Sequence, residues 1–322
     1  MPSLQSRVLR IVTRYAVRKQ LETFGTTEAR YVATARRVFE LGAARNRRLP
    51  CGVRVVPVDL DGLRGEWVLP RATARVERAI LYAHGGAYVA CRPFGYRRFA
   101  SELALATGSA VFVLDYRLAP EARYPAALED AVAAYRALRM QLAPADIVLA
   151  GDSAGGNLAL ATLLALRERQ GTARPVAGVL AFSPWTDLTA SGASHRENAA
   201  SDDMIVDTGV DVARIYAGDA PLDDPLLSPV FGDYSGAPPL LAFASTIEVL
   251  RDDSIRLIER ARAAGVDATL VLEADMPHVW PILGSILPEA RVALATAARF
   301  LERCWRPLSP TPEQPIAPGG IR

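Results

Sequence analysis

Ser153 stands in Gly151-Asp152-Ser153-Ala154-Gly155, a GxSxG pentapeptide. It follows the apolar run Ile147 to Ala150 directly and opens a stretch rich in Ala and Leu from Ala154 to Gln170, which stops at Gly171. That strand, turn and helix setting is what a nucleophile elbow needs. The turn lifts the hydroxyl clear of the backbone, and the helix N-terminus favours negative charge developing beside it. A serine is a weak nucleophile until a base takes its proton. The chain holds three histidines, so the choice of base is narrow. His84 precedes the serine and is tied to a glycine pair. His195 sits in Ser-Gly-Ala-Ser-His-Arg, inside a loop-rich region. His278 lies in a loop after the apolar run ending near Leu272 and before the last helical segment.

Where such an elbow is carried by an α/β-hydrolase, the chain order is nucleophile, acid, histidine. His278 fits that order. The acid then belongs just after the run Leu240 to Ala244, where Glu248, Asp252 and Asp253 are available. Glu248 comes soonest after the run and is favoured. Asp252 is second, because it and Asp253 fall where the next helix begins and N-capping explains both. The acid would fix the imidazole tautomer and stabilise the imidazolium. His84-Gly85-Gly86-Ala87 follows the run Ala79 to Ala83. Its small residues let the backbone pass close to a substrate carbonyl. Amides of Gly85, Gly86 and Ala87, with that of Ala154, are the expected oxyanion donors, each donor worth roughly 3 kcal/mol of barrier. His84 itself is expected to hold the loop rather than carry protons.

Short apolar runs must position these groups. Gly52 to Leu60 and Leu63 to Leu69 read as two strands joined at Asp61-Gly62, a hairpin signal. Ala79–Ala83, Ala110–Leu114, Ile147–Ala150, Val179–Phe182, Leu240–Ala244 and Ala268–Leu272 are apolar on both faces, as strands covered on both sides must be. Helical spacing occupies Tyr124 to Met140, Ala154 to Gln170, Asp252 to Ala264 before Gly265, and Pro288 to Cys304. This alternation predicts an α/β fold with a mostly parallel, doubly wound sheet. Two regions break it. Residues 1 to about 45 read as helical and precede the first strand, and residues about 186 to 236 form a long Asp-, Gly-, Ser- and Pro-rich stretch with helical spacing near Asp207 to Tyr216. A connection that long is usually functional, so the two are expected to pack together as a lid. Residues from about 306 on are proline-rich and read as a disordered tail.

The 322-residue chain is half hydrophobic, enough for a large core. Its 37 basic and 35 acidic residues leave a net charge of +2, with no electrostatic case for nucleic acid. Cys51, Cys91 and Cys304 form neither a disulfide framework nor a zinc motif. No signal pattern and no run of 18 apolar residues is present, so the reading is a cytoplasmic protein without a membrane partner. No long amphipathic stretch with an exposed apolar face is legible, which disfavours a triacylglycerol lipase.

Together these motifs resemble the hormone-sensitive lipase family of α/β-hydrolase esterases, over roughly residues 75 to 305. The matching segments are His84-Gly85-Gly86-Ala87, Asp115-Tyr116-Arg117-Leu118-Ala119-Pro120-Glu121 followed by Tyr124-Pro125-Ala126-Ala127, GDSAGG at 151–156, Ser183-Pro184-Trp185-Thr186-Asp187-Leu188, and Asp224-Pro225-Leu226-Leu227-Ser228-Pro229. Many relatives carry Asp-Pro-Leu-x-Asp where this chain reads Glu248-Val249-Leu250-Arg251-Asp252, so a glutamate stands at the matching acid position. Ala87 is the second departure. The resemblance implies an eight-stranded α/β-hydrolase domain from residue 46 on, with a helical cap built from residues 1–45 and the 186–236 insertion. It also implies homodimers in many members, through the last strand and helix. Asp115, Arg117 and Glu121 are expected to form a salt-bridge network near the oxyanion loop.

The expected reaction is hydrolysis of a small-molecule carboxylic ester of short to medium acyl length, through an acyl-enzyme on Ser153 with His278 as base and Glu248 behind it. No metal or organic cofactor is needed. The same triad would serve a lactone hydrolase or an N- or O-deacetylase, and a non-catalytic ligand-binding protein on this scaffold is the alternative from another class. Tyr88, Trp185, Met204, Ile205, Tyr216 and Trp280 are the residues expected to line the substrate pocket, although core packing explains each about as well.

Overall fold

The computed structural model describes residues 2–45, 49–60, 63–170, 174–284 and 286–305. The turn at Asp61-Gly62, the stop at Gly171 and the proline-rich tail lie outside the described residues. The chain opens with α1 (Leu4–Thr13), which passes through a π-type turn at Arg14–Arg18 into α2 (Lys19–Phe24), and then α3 (Glu28–Arg45). Eight strands follow: β1 (Val53–Leu60), β2 (Leu63–Pro70), β3 (Ala79–Ala83), β4 (Ala110–Leu114), β5 (Ile147–Asp152), β6 (Gly178–Phe182), β7 (Leu240–Ser245) and β8 (Ala268–Glu273). They form one sheet in the order β1-β2-β4-β3-β5-β6-β7-β8. Only the pairings of β2 with β1 and β4 are antiparallel.

The central strands read as continuous apolar runs because both faces are covered. Ile80, Tyr82, Val148, Ala150, Leu180 and Phe182 pack against α4 (Pro93–Thr107) and α10 (Pro288–Cys304). Their neighbours Leu81, Ala83, Ile147, Leu149 and Val179 point the other way, onto α5 (Ala126–Arg139), α6 (Ala154–Gln170) and α9 (Arg251–Ala263). Strand periodicity of two sends successive side chains to opposite layers. The last strand departs from the expected pattern. β8 is an edge strand with mostly half-buried residues and an exposed Leu272, because a sheet edge has a partner on one side only. The helix α4 had no counterpart in the sequence reading. It starts with Pro93 at its first turn and buries Tyr96, Phe99, Ala100 and Leu103, the spacing of one helical face.

The segment between β6 and β7 carries two short helices, α7 (Ser194–Glu197) and α8 (Val212–Ala217), the latter shorter than the stretch from Asp207 suggested. The N-terminal helices rest on this segment. Arg10 Nε donates to Asp203 at 2.5 Å, Arg14 to the Ala200 carbonyl at 2.8 Å, and Arg18 to the carbonyls of Ala199 and Asp202. The expected network within the Asp115–Glu121 segment does not form. Asp115 pairs with Arg92, Arg117 with Glu129 and Asp130, and Glu121 with Arg36 of α3, so each charge ties the segment to a different element.

No described helix is long and apolar enough to cross a membrane. No long amphipathic stretch with an exposed apolar face was expected, yet the ten-residue α1 turns Leu4, Val8, Ile11 and Val12 outward. The helix is anchored through its polar side, so its apolar side needs no core.

Candidate active site

The elbow between β5 and α6 holds Ser153 at φ +53°, a left-handed conformation that costs a non-glycine residue energy and is kept by its surroundings. Its amide donates to the Phe182 carbonyl at 2.9 Å, and its carbonyl accepts from the Trp185 amide at 3.0 Å. The flanking glycines are needed for close approach. A Cβ on Gly155 would collide with the carbonyl of Ala83, and one on Gly151 with that of Gly155. Ser153 is partly exposed at the C-terminal edge of the sheet, where open α/β sheets present their ligand sites.

Two further loops at that edge carry the acid and the imidazole. Glu248 follows β7 and His278 follows β8, and Nδ1 of His278 lies 2.6 Å from Glu248 Oε2. The other carboxylate oxygen accepts from the Ser245 amide at 2.5 Å and the Ser183 hydroxyl at 3.0 Å. The partners of the carboxylate are thus donors, which places the imidazole proton on Nδ1 and leaves Nε2 as the basic nitrogen. That Nε2 is buried with no hydrogen-bond partner among the described residues. Burial works against an imidazolium here, but the hydrogen bond to Glu248 and the charges of Glu248, Asp202 and Asp152 outweigh it, and the His278 pKa is raised.

Two serines staple these loops, and sequence reasoning assigned neither. Ser183 Oγ accepts from the Val279 amide at 3.2 Å while donating to Glu248. Ser245 Oγ accepts from the Met276 amide at 3.0 Å. Each serine ends a strand adjacent to the loop it holds, and that position was the available signal. Asp202 of the insertion adds a third staple, accepting from the Val249 amide at 2.9 Å and from the amides of Met204 and Ile205.

The glycine loop after β3 requires one correction. The Gly85 amide is already committed, at 3.0 Å to Asp152 Oδ1 and 3.0 Å to Tyr96 Oη, so it is not a free oxyanion donor. The amides of Gly86 and Ala87 have no acceptor among the described residues, and both residues take positive φ, +110° and +54°. Ala154 is the first residue of α6, where the amide has no intrahelical acceptor. Asp152 is therefore the clamp between elbow and glycine loop, accepting from Tyr82 at 2.8 Å, Tyr96 at 2.9 Å and Gly85. Burial raises its pKa to about 6 despite those three donors. His84 is fully buried, stacks on Tyr116 at 4.3 Å, and places Nδ1 2.8 Å from the Gly85 carbonyl. Burial lowers its pKa to about 4, so it is neutral at pH 7.

His195 is far from idle. Its Nε2 sits 3.0 Å from Asp253, whose other oxygen accepts from the Thr186 and Asp187 amides. Asp252 accepts from the Ser194 amide at 2.9 Å. Both aspartates thus bind the insertion to the start of α9, away from His278.

Three of the six expected pocket residues are structural. Tyr88 and Tyr216 are buried and stack face to face at 3.6 Å, with Tyr88 Oη donating to Asn157 at 2.7 Å. Asn157 in turn donates to the carbonyls of Trp185 and Leu227, making it a hub that chain position did not reveal. Trp280 packs edge-on against Phe243 in the layer of α4 and α10. Their rings fill space the chain itself must close. Trp185, Met204 and Ile205 are partly exposed and keep surface available to a substrate. Among the described residues no group of three or more His, Cys, Asp or Glu side chains is placed to hold a metal ion. The three cysteines are free thiols, and burial pushes the Cys91 thiol well up, as a packing role requires.

Comparison with known proteins agrees with this geometry. A family model described as an alpha/beta hydrolase fold matches residues 80–282. An acetyl-hydrolase of Streptomyces hygroscopicus is 44% identical over 241 residues, 73% of this chain and 78% of that protein. An esterase of Acinetobacter venetianus is 34% identical over 289 residues, 85% of this chain and 94% of that one. The crystal structure of an esterase from the bacterial hormone-sensitive lipase family superposes with a TM-score of 0.85 at 36% identity, covering 95% of this chain and all of that one. The protein is an ester-hydrolysing enzyme, and the chain belongs to the hormone-sensitive lipase family of α/β-hydrolase esterases.

Proposed function

We propose that Ser153 is the nucleophile of a carboxylic ester hydrolase for short- to medium-chain acyl esters. Ser153 Oγ attacks the ester carbonyl carbon while His278 Nε2 takes its proton. Glu248 holds the ring and stabilises the imidazolium. The amides of Gly86, Ala87 and Ala154 receive the oxyanion, in the place vacated by the committed Gly85 amide. Collapse of the tetrahedral intermediate expels the alkoxide, which takes the proton from His278, and leaves an acyl-serine. Water, activated by the same imidazole, then releases the acid. The observation that carries the reading is the pair at 2.6 Å between Glu248 and His278, with Nε2 buried and unpartnered and the ring close enough to act on the charge of Asp152, the elbow residue before Ser153. The N-terminal helices and the 186–236 insertion act as the cap, a reading supported by the arginine contacts to residues 199–203. The free thiols suit a reducing, cytoplasmic setting.

The test is hydrolysis of p-nitrophenyl acetate, butyrate, octanoate and palmitate by the wild type and Ser153→Ala. Activity that peaks at the short chains and disappears in the variant supports the scheme, whereas a variant that keeps most of its activity removes Ser153 from it. A second reading, removal of acetyl groups from a hydroxyl or amine of a small metabolite, is favoured by the 44% likeness to an acetyl-hydrolase. Acetylated sugars and acetamides in the same panel separate the two.

A further inference from the structure

The helix α1 is inside out. Its buried residues are Ser6 and Thr13, the former donating to Met276 Sδ at 3.4 Å. Arg10 holds Asp203 from the same helix, and Ser3 binds Glu289 through both its amide and its hydroxyl. The opposite face carries Leu4, Val8, Ile11, Val12 and Tyr15, spaced as one helical stripe and 49 to 74% exposed. Exposed Ile286 flanks Leu4, Val8 and Val12 along a shared groove. Polar contacts and the inward Leu9 anchor the helix, so the apolar stripe adds nothing to the packing of this chain. A contiguous exposed patch of that kind marks an interaction surface.

We infer that α1 is an interfacial helix that docks the enzyme on an anionic lipid surface. Charge decides between occupants. Residues 2–24 hold Arg7, Arg10, Arg14, Arg18 and Lys19 against Glu22 alone; Arg10 and Arg14 share Asp203, and Arg18 and Lys19 share Glu22, so each pair of cations keeps one positive charge in excess. Arg7 is exposed beside the stripe and has no ion-pair partner among the described residues. A helix with an apolar face flanked by arginines lies in the plane of a bilayer, aliphatic residues down and cations at the phosphates, and a tyrosine such as Tyr15 suits the headgroup level. A second copy pairing through the same stripe would bring like charges together. The inward face of the same helix contacts Met276, two residues before His278, so the thickness of one helix separates the docked face from the loop that carries the imidazole.

Sedimentation with vesicles tests this without relying on the reaction. Phosphatidylcholine vesicles with and without phosphatidylglycerol are mixed with the wild type and with a Leu4→Ser, Val8→Ser, Ile11→Ser variant. The wild type should pellet with the anionic vesicles, at least about tenfold less with neutral ones or in high salt, and the variant should stay in solution. Hydrolysis of soluble p-nitrophenyl butyrate should be the same for both proteins, which confirms that the variant is folded. A wild type that stays in the supernatant, or a variant that pellets equally, overturns the inference. So does light scattering that shows a wild-type dimer, a monomeric variant and no vesicle binding, since the stripe then belongs to a second copy.

Discussion

Among the described residues two imidazole–carboxylate pairs occur, one buried and one with a half-buried ring, and they differ in which nitrogen is bound and in what holds the carboxylate. His278 and Glu248 meet at 2.6 Å through Nδ1, and His195 and Asp253 at 3.0 Å through Nε2. In both, burial disfavours the charged ring, the carboxylate outweighs it, and the histidine pKa is raised. Around Glu248, donors come from the ends of β6 and β7, so the acid is fixed relative to the sheet that also carries the elbow. Around Asp253, donors come from Thr186 and Asp187, the first residues of the insertion. One pair is bound through Nδ1 and leaves Nε2 buried and unpartnered, and the other is bound through Nε2 and fastens the insertion to α9. A histidine beside a carboxylate is therefore not yet a base. What distinguishes the base is a carboxylate held by the ends of the strands that also carry the nucleophile.

The sharpest way to break that comparison is to remove each ring. His278→Ala should lower kcat/KM by at least about 10³-fold, while His195→Ala leaves kcat/KM near the wild-type value, as measured on p-nitrophenyl butyrate. A comparable loss in both would erase the distinction. Next in size is the clamp. Asp152→Asn keeps the shape but weakens the hold on Gly85, and kcat should fall by about tenfold to a hundredfold with little change in KM.

The pH profile should show the same division. Because Nε2 of His278 must be unprotonated, and its pKa is raised above 6.5, kcat/KM should fall as pH drops through a value above 6.5. Below about pH 6 Asp152 also gains a proton, and its three donors then compete with a new one. The acid limb should steepen there in the wild type and return to a single-proton slope in Asp152→Asn. The smallest effect on rate belongs to the second pair. Asp253→Asn should cost about 1–3 kcal/mol in urea unfolding, the range for disturbing a buried hydrogen-bonded group, while leaving the pH profile of kcat/KM in place.

Much of this arrangement was legible because it is local or follows strand order. The elbow is five consecutive residues between a strand and a helix, and the apolar runs marked the eight strands to within a residue or two. Chain order alone placed Glu248 and His278 on neighbouring loops, because β7 and β8 are adjacent and parallel. What escaped depends on contacts between distant segments. Gly85 looked like an oxyanion donor until the structure put Asp152 and Tyr96 beside it, and Ser183 meets Glu248 from 65 residues away. The helix α4 was hidden by Arg97 and Arg98, which interrupt its apolar pattern although its buried face is regular. The stripe on α1 was missed within a segment read only as helical, since a sequence does not say which face turns inward.

The most direct test of the account is active-site labelling with a fluorophosphonate, followed by peptide mass analysis, on the wild type, His195→Ala and His278→Ala. One label per chain on Ser153 in the first two proteins, and almost none in the third, is the predicted result. A label on a different serine, or equal labelling of Ser153 with and without the His278 ring, would contradict the assignment of His278 as the base that activates Ser153.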